Sequence, residues 1–391
     1  MDFDLTQDQQ DFRKAIREFA EEVIAPRAEE FNRTEEFPVD IVKQMGELGL
    51  FGLPFPEGYG GQGSDFLTFC IAVEELARID SSMAITLEAG VGLGANPIYH
   101  FGTEDQKERW LVPMCRGEIL GAFGLTEPAG GSDAGSTKTT ARLQDGLWVI
   151  NGSKAFITNC GTDITGLVTV TAVTGEETGG HKHGHKHKEI SAIIVPAGTE
   201  GFEVGPNYRK LGWRGSDTHE LSFNDCRVPE ENLLGERGKG YAQFLQILDD
   251  GRIAVAALGT GLAQGCLEEC VKYAGQRQAF GRPIGSFQAL QFKIADMKVA
   301  VETARLATYR AAWLRDQGRP YKAEAAVAKL YASEIAVEVA RQAVQVHGGY
   351  GYMEEFPVAR HYRDSKVLEI GEGTSEIMRW IIARDLGLPG A

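Results

Sequence analysis

The sequence predicts a mainly α-helical protein with a central β-domain, and three observations carry that expectation. In residues 1 to about 120, apolar side chains recur at helical spacing, as in Phe12, Ile16, Phe19 and Val23. From about 121 to 231 the texture changes to short β-branched runs separated by turn dipeptides. From 232 to 391 long apolar stripes return: Leu290, Ile294, Met297, Val301, Ala304, Thr308 and Ala311 step by four and three, as in the seam of an antiparallel bundle. A chain of 391 residues is long enough for three such domains, 1–120, 121–231 and 232–391.

In the first domain Pro26 ends or bends the opening helix, and a second helix is expected over Val39–Leu48. Gly58, Gly60 and Gly63 spell GxGxxG, but two prolines precede them and a helix from Asp65 to Ile79 follows. A dinucleotide site needs a buried strand feeding the glycines, so a tight turn is expected here instead. In the middle domain Asp145-Gly146 between Thr139–Leu143 and Leu147–Ile150 signals a hairpin, and Asn151-Gly152 a further turn before Ala155–Asn159. More strands are expected at Leu167–Val173, Ile190–Val195, Phe202–Val204 and Leu221–Phe223. The run His181-Lys182-His183-Gly184-His185-Lys186-His187 has metal-binding side chains, but its lysines repel a cation, and a solvated loop is expected rather than a metal site. In the last domain a second stripe, Leu330, Val337 and Val344, marks the next helix.

Forty basic against 55 acidic side chains leave a net charge of -15, which argues against long-range attraction to nucleic acid or an anionic membrane. The six cysteines form no CxxC pair and read as packed thiols in a reducing compartment. The N-terminus Met1-Asp2-Phe3-Asp4 is acidic and polar, and the longest apolar run, Ile253 to Ala263, falls short of the ~20 residues that span a bilayer. A cytoplasmic protein with no membrane span is expected.

Chemistry concentrates in Gly371-Glu372-Gly373-Thr374-Ser375-Glu376. Flanking glycines let the backbone turn sharply and present Glu372 rather than pack it. Thr374 is a good N-cap and Glu376 a good first-turn acid for a helix that stops at Gly387 and Pro389. Such a carboxylate can serve as a general base once an apolar ligand excludes water. It can equally be a surface glutamate at a helix entrance.

Five separated motifs decide between these. They are Leu125-Thr126-Glu127-Pro128-Ala129-Gly130-Gly131-Ser132-Asp133, Phe156-Ile157-Thr158-Asn159, Gln276-Arg277-Gln278-Ala279-Phe280-Gly281, Gln345-Val346-His347-Gly348-Gly349-Tyr350-Gly351, and Arg363-Asp364 followed by Glu372-Gly373-Thr374. In this order the chain resembles an acyl-CoA dehydrogenase over essentially its whole length. The resemblance implies an N-terminal helical domain, a middle β-barrel or sandwich, a C-terminal four-helix bundle, and a homotetramer binding FAD.

Residue by residue, it implies that Phe123, Leu125, Thr126, Phe156 and Thr158 border the flavin ring. Ser132 would touch cofactor and CoA. Arg277, Phe280, Gln288, Gln345, Gly348 and Gly349 would hold the adenosine and pyrophosphate half, partly across a subunit boundary. Thr374 and Glu376 would complete the FAD site, while Asp249, Asp250, Arg252 and Gly373 would lie along the acyl-CoA. Glu372 would take the α-proton of the thioester while hydride passes to flavin N5, giving the trans-2-enoyl-CoA. Electrons would go on to an electron-transferring flavoprotein.

Some members carry their base on the first helix of the last domain; the matching position is Gly251, which leaves the role to Glu372. Phe156 stands where tryptophan is common, and Gly371 where many members carry a bulky aromatic, so a pocket open to short branched acyl groups is expected. An acyl-CoA oxidase keeps the fold and changes the acceptor; its usual extra C-terminal domain is not expected here. A non-catalytic helical scaffold with a metal-binding histidine loop is the alternative from another class, and it predicts a colourless protein.

Overall fold

The computed structural model describes residues 4–176 and 188–390, so the histidine run 181–187 lies outside the described residues. The first third is helical. The opening helix Gln7–Phe19 runs into a wider π-helical segment, Ala20–Ile24, before Pro26, and is followed by Val39–Glu47. Asp65 caps the helix Phe66–Ile79 by accepting from Thr68 N. Residues 58–63 form a tight turn, a 3-10 segment Glu57–Tyr59 with Gly60 at φ 78°, as the proline-flanked sequence requires. Asp80 caps the next helix, Ser81–Glu88, which widens into a π-helical segment, Ala89–Ala95.

The middle of the chain is an eight-stranded sheet in the order 202–207, 218–229, 147–158, 140–144, 165–176, 188–196, 233–234, with 120–124 pairing parallel to 165–176. The Asp145-Gly146 hairpin forms, with φ 51° and 76° at the two turn residues. Asn151-Gly152 is not a turn, contrary to the expectation. Leu147–Thr158 is one strand whose register shifts at Ile150/Gly152 and again at Lys154/Ile157. At Gly152 a Cβ would lie 2.7 Å from Thr139 Cα, so glycine is there to admit the neighbouring strand. The strand Leu120–Gly124 was not anticipated because every residue in it is buried and no alternation marks it.

Three long helices, Gly240–Gln276, Gln288–Asp316 and Lys322–His347, pack on one another, the first two also pack on 66–79, and the short helix Ser375–Asp385 packs on 322–347. On 288–316 the anticipated seam is the buried one, including Met297, Val301, Ala304, Thr308 and Ala311. On 322–347 the anticipated stripe is only half-buried. The inward face is instead mostly alanine, Ala325, Ala328, Ala332, Ala336, Ala340 and Ala343, small residues that let this helix lie close to its neighbours, with Lys329, Val339 and Val346 buried among them. Among the described residues no helix is long and apolar enough to cross a membrane, and no group of three His, Cys, Asp or Glu could hold a metal. All six cysteines are buried free thiols.

Candidate active site

Glu372 sits where the 3-10 turn Lys366–Glu369 hands over to the helix Ser375–Asp385, with φ 51°, and Gly373 follows at 104°. Gly371 N donates to Val367 O at 2.8 Å, and Thr374 accepts from Ile377 N at 3.3 Å, so both ends of the turn are closed locally. The sequence suggested a carboxylate presented rather than packed, with a surface glutamate as the alternative. Instead both Glu372 oxygens are buried, because the left-handed backbone turns the side chain inward onto helix 240–276. There Gly251 makes the space: a Cβ on it would overlap Glu372 Oε2.

A second carboxyl, Glu88, lies at the end of the helix Ser81–Glu88 and is wholly buried. Among the described residues no backbone amide, hydroxyl or side-chain amide satisfies either carboxyl, which leaves a proton shared between them as the hydrogen bond the pair can make. Burial pushes Glu88 well above the ordinary carboxylate value, and the Glu372 charge adds to the push. Glu372 is also raised by burial, while Glu88 hydrogen bonding and the positive charges of Lys329 and Arg252 pull it down. Burial and the Glu372 charge make Glu88 hold its proton the more firmly, and Lys329 and Arg252 make Glu372 the readier of the two to ionise.

Replacing Glu88 by Gln keeps a neutral donor and removes the upper of the two titrations. The expected pH–rate profile holds kcat near neutrality within about threefold of the parent and flattens the alkaline limb. An unchanged alkaline limb would separate Glu88 from the base.

Lys329 donates to Gly373 O at 2.6 Å from helix 322–347. Burial pulls it down to about 8, with Glu372 opposing. Arg252 pairs with Asp249. Asp250, expected along the acyl-CoA, is committed elsewhere: it accepts from Tyr321 OH at 2.6 Å, Arg315 at 3.0 Å and Asn96 at 3.2 Å. These donors link it to Asn96, to helix 288–316 and to Tyr321.

The residues expected around a ring system come together on the sheet. The strand Leu120–Gly124 delivers the buried Phe123 and Leu125 and the half-buried Thr126, and Ala155 N donates to Thr126 O at 2.9 Å. Lys154, wholly buried, donates to Glu127 Oε1 at 2.9 Å and Leu125 O at 3.3 Å, while Glu127 accepts from Lys138 N and Thr139 N. This buried pair closes the loop that carries the exposed Ser132. Phe156 lies on the register shift with φ 61° and is 66% exposed, an aromatic held outward on strained backbone.

A second group forms elsewhere on the chain. Arg277, Gly348 and Gly349 line one groove of about 590 Å3 with Tyr273, His347 and Tyr350. Gln345 is exposed near the end of the same helix that leads into the glycines. Phe280 is 95% exposed with its ring edge-on to Phe287, beside which the exposed Gln288 starts the helix 288–316. Thr374 and the exposed Glu376 stand together at the other helix entrance.

Two residues of the site, Glu88 and Lys329, were missed. Each is a lone charge in an apolar run, Ala84-Ile85-Thr86-Leu87-Glu88-Ala89 and Ala325-Ala326-Val327-Ala328-Lys329-Leu330, and that is the signal that could have found them.

Models of the acyl-CoA dehydrogenase N-terminal, middle and C-terminal domains match residues 6–118, 122–226 and 238–387. The chain is 50% identical over 386 residues to a probable acyl-CoA dehydrogenase of Bacillus subtilis strain 168, YngJ, spanning 99% of this chain and 100% of that one. Butyryl-CoA dehydrogenase from Megasphaera elsdenii superposes with a TM-score of 0.93 at 45% identity, over 99% of this chain and 100% of that one. A chain from the structure of the electron transferring flavoprotein of Acidaminococcus fermentans, a study of flavin-based electron bifurcation, gives 0.93 at 46% identity over 99% of each. These likenesses make the protein an FAD-dependent oxidoreductase. The chain belongs to the acyl-CoA dehydrogenase family.

The residues present fit such a cofactor. Among the described residues the hydroxyls of Thr126 and Thr158, both half-buried, have no protein partner, which leaves them to hydrogen-bond a polar ring edge. Gly348 and Gly349 have nothing within 4 Å of where a Cβ would stand, and Arg277 lines the same groove, a setting suited to pyrophosphate.

Proposed function

We propose that Glu372 is the base of an α,β-dehydrogenation of short-chain acyl-CoA thioesters. The observation that carries this reading is the buried, otherwise unsatisfied carboxylate of Glu372 over Gly251, its proton affinity raised by burial. A carboxylate stripped of water is a stronger base than one in solution, and its task is to remove a weakly acidic proton next to a thioester carbonyl. The backbone N–H of Glu372 is the chain's own donor toward the developing enolate oxygen. Phe123, Leu125, Thr126, Phe156 and Thr158 border the flavin ring, Ser132 contacts the CoA portion, and Arg277, Phe280, Gln288, Gln345, Gly348, Gly349, Thr374 and Glu376 hold the rest of the cofactor. When bound, FAD supplies the two-electron acceptor for the β-hydrogen. Asp249, Arg252 and Gly373 stay in this reading as the acyl-CoA side of the site.

The short-chain assignment draws on the butyryl-CoA relative and on Gly371, where a Cβ would meet only Val367 O at 3.6 Å. Open space beside the base admits branching near the reacting carbons. Anaerobic titration with butyryl-, isobutyryl-, isovaleryl- and palmitoyl-CoA tests it by loss of flavin absorbance. Bleaching by the four- and five-carbon thioesters is expected, and bleaching by palmitoyl-CoA alone would contradict it.

Electrons leave, in this reading, to an electron-transferring flavoprotein rather than to oxygen. The assembly is a homotetramer. Supporting this, Phe292, Val299, Leu306 and Trp313 lie seven residues apart on helix 288–316 and are 60%, 65%, 55% and 46% exposed, an apolar stripe suited to another copy of the chain. A cytoplasmic setting agrees with the six free thiols.

A further inference from the structure

We propose that Lys329 is the positioning residue of the site: through the Gly373 carbonyl it holds the turn that aims Glu372, and its charge keeps the Glu372 carboxylate ionised. The proposal rests on the reading of Glu372 as the base.

The turn needs holding. Glu372 adopts φ 51°, a conformation that residues with a Cβ rarely take, and Gly373 follows at 104°. Backbone of this kind persists only where its surroundings over-determine it. Within residues 370–374 the other hydrogen bonds come from the segment's own neighbours: Ile370 N and Gly371 N to Val367 O, Ile377 N to Thr374 Oγ1, Met378 N to Thr374 O. Among the described residues, and apart from the carboxyl contact between Glu88 and Glu372, the Lys329 ammonium at 2.6 Å from Gly373 O is the one hydrogen bond that reaches this segment from another helix, and the one that reaches its backbone. It fixes the peptide immediately after the base, and so both the Glu372 side-chain direction and its backbone N–H.

The ammonium is also expensive where it lies. Lys329 is wholly buried on the alanine face of helix 322–347, among Ala325, Ala328 and Ala332. Burying an ammonium is unfavourable unless a compensating charge stands by. The charged groups acting on it are Glu372 from the turn, Arg252 from helix 240–276, Glu369 from the 3-10 segment and Glu334 from its own helix, with Glu372 the largest of these. Glu88, from helix 81–88, faces Glu372 with a proton in place and adds no compensating charge. Lys329 and Glu372 therefore compensate each other across the Gly373 carbonyl, and the ionised carboxylate is the form this arrangement favours.

The test uses the flavin-loaded enzyme with Lys329→Met, Lys329→Gln and Lys329→Arg. Methionine keeps the bulk and removes donor and charge; glutamine keeps a donor without charge; arginine keeps charge on a longer, planar head. In Lys329→Met kcat for butyryl-CoA is expected to fall roughly tenfold with KM within about twofold, and the acid limb of kcat to move up by about one pH unit. Lys329→Gln is expected to recover part of the kcat loss and none of the limb shift, and Lys329→Arg to recover part of both. An activity-independent reading is the carboxylate infrared band of Glu372, isolated as a difference against Glu372→Gln. Its midpoint is expected to rise in the Met and Gln proteins.

Parental kcat together with an unmoved limb and infrared midpoint, in whichever of the Met and Gln proteins retains flavin, would overturn the proposal. Failure of the underlying reading looks different: Glu372→Gln would then turn over normally. If Glu372→Gln is inactive and the Lys329 proteins behave as the parent, the positioning role alone falls.

Discussion

Glu372→Gln is expected to retain FAD, bind acyl-CoA and lose at least ~10²-fold in kcat, the low end for removal of a general base. Glutamine matches the shape of the protonated carboxyl, so the turn, the Lys329 contact to Gly373 O and the space over Gly251 all survive. Stability is subject to two opposing effects. Glu372 is raised above its ordinary 4.5 in the folded protein, so the folded state binds the proton more tightly than the unfolded chain. Its contribution is fully present below the unfolded value and is lost as pH rises through the raised one. At neutral pH a neutral glutamine removes that cost but leaves the buried Lys329 ammonium without its largest compensating charge, so the two effects oppose and the melting temperature is expected to change little. A protein both less active and markedly less stable would indicate damage to the fold rather than loss of the base.

Gly251→Ala is expected to produce the second large effect. In the interior of helix 240–276 alanine is favoured over glycine by about 1 kcal/mol, so the helix itself does not suffer. The added methyl overlaps Glu372 Oε2, the far end of a flexible side chain, and that carboxylate is what gives way. A misplacement of about 1 Å at a reacting group costs on the order of 10²-fold in rate. Folded, flavin-loaded protein with kcat reduced to that degree and KM little changed is the expected outcome. Normal kcat in Gly251→Ala would mean that the geometry over Gly251 is not the working one.

Much of this site was legible because its parts are punctuated by glycine and proline. Gly371 and Gly373 mark the turn, Thr374 its helix start, and Asp145-Gly146 the hairpin that orders the sheet. Large apolar residues at helical spacing gave the seam of helix 288–316 correctly. The same rule misjudged helix 322–347, whose buried face is alanine, and alanine carries little weight in any hydropathy pattern. That misjudgement hid Lys329, since a lysine among half-buried positions reads as solvated. Glu88 was hidden for a related reason: what brings it beside Glu372 is tertiary packing of helix 81–88 against helix 240–276. The inward turn of Glu372 depends on a positive φ at a non-glycine residue, which sequence spacing does not encode. Asn151-Gly152 carried the usual turn chemistry and was overruled by strand pairing on both sides.

The most direct test is exchange of the α-hydrogen. Butyryl-CoA deuterated at the α-carbon is incubated anaerobically with the flavin-loaded parent and with Glu372→Gln, and loss of deuterium to water is followed by mass spectrometry. The parent is expected to wash deuterium out within its turnover time, and the variant to retain it with substrate bound. Wash-out from the variant at the parental rate would place the base somewhere other than Glu372.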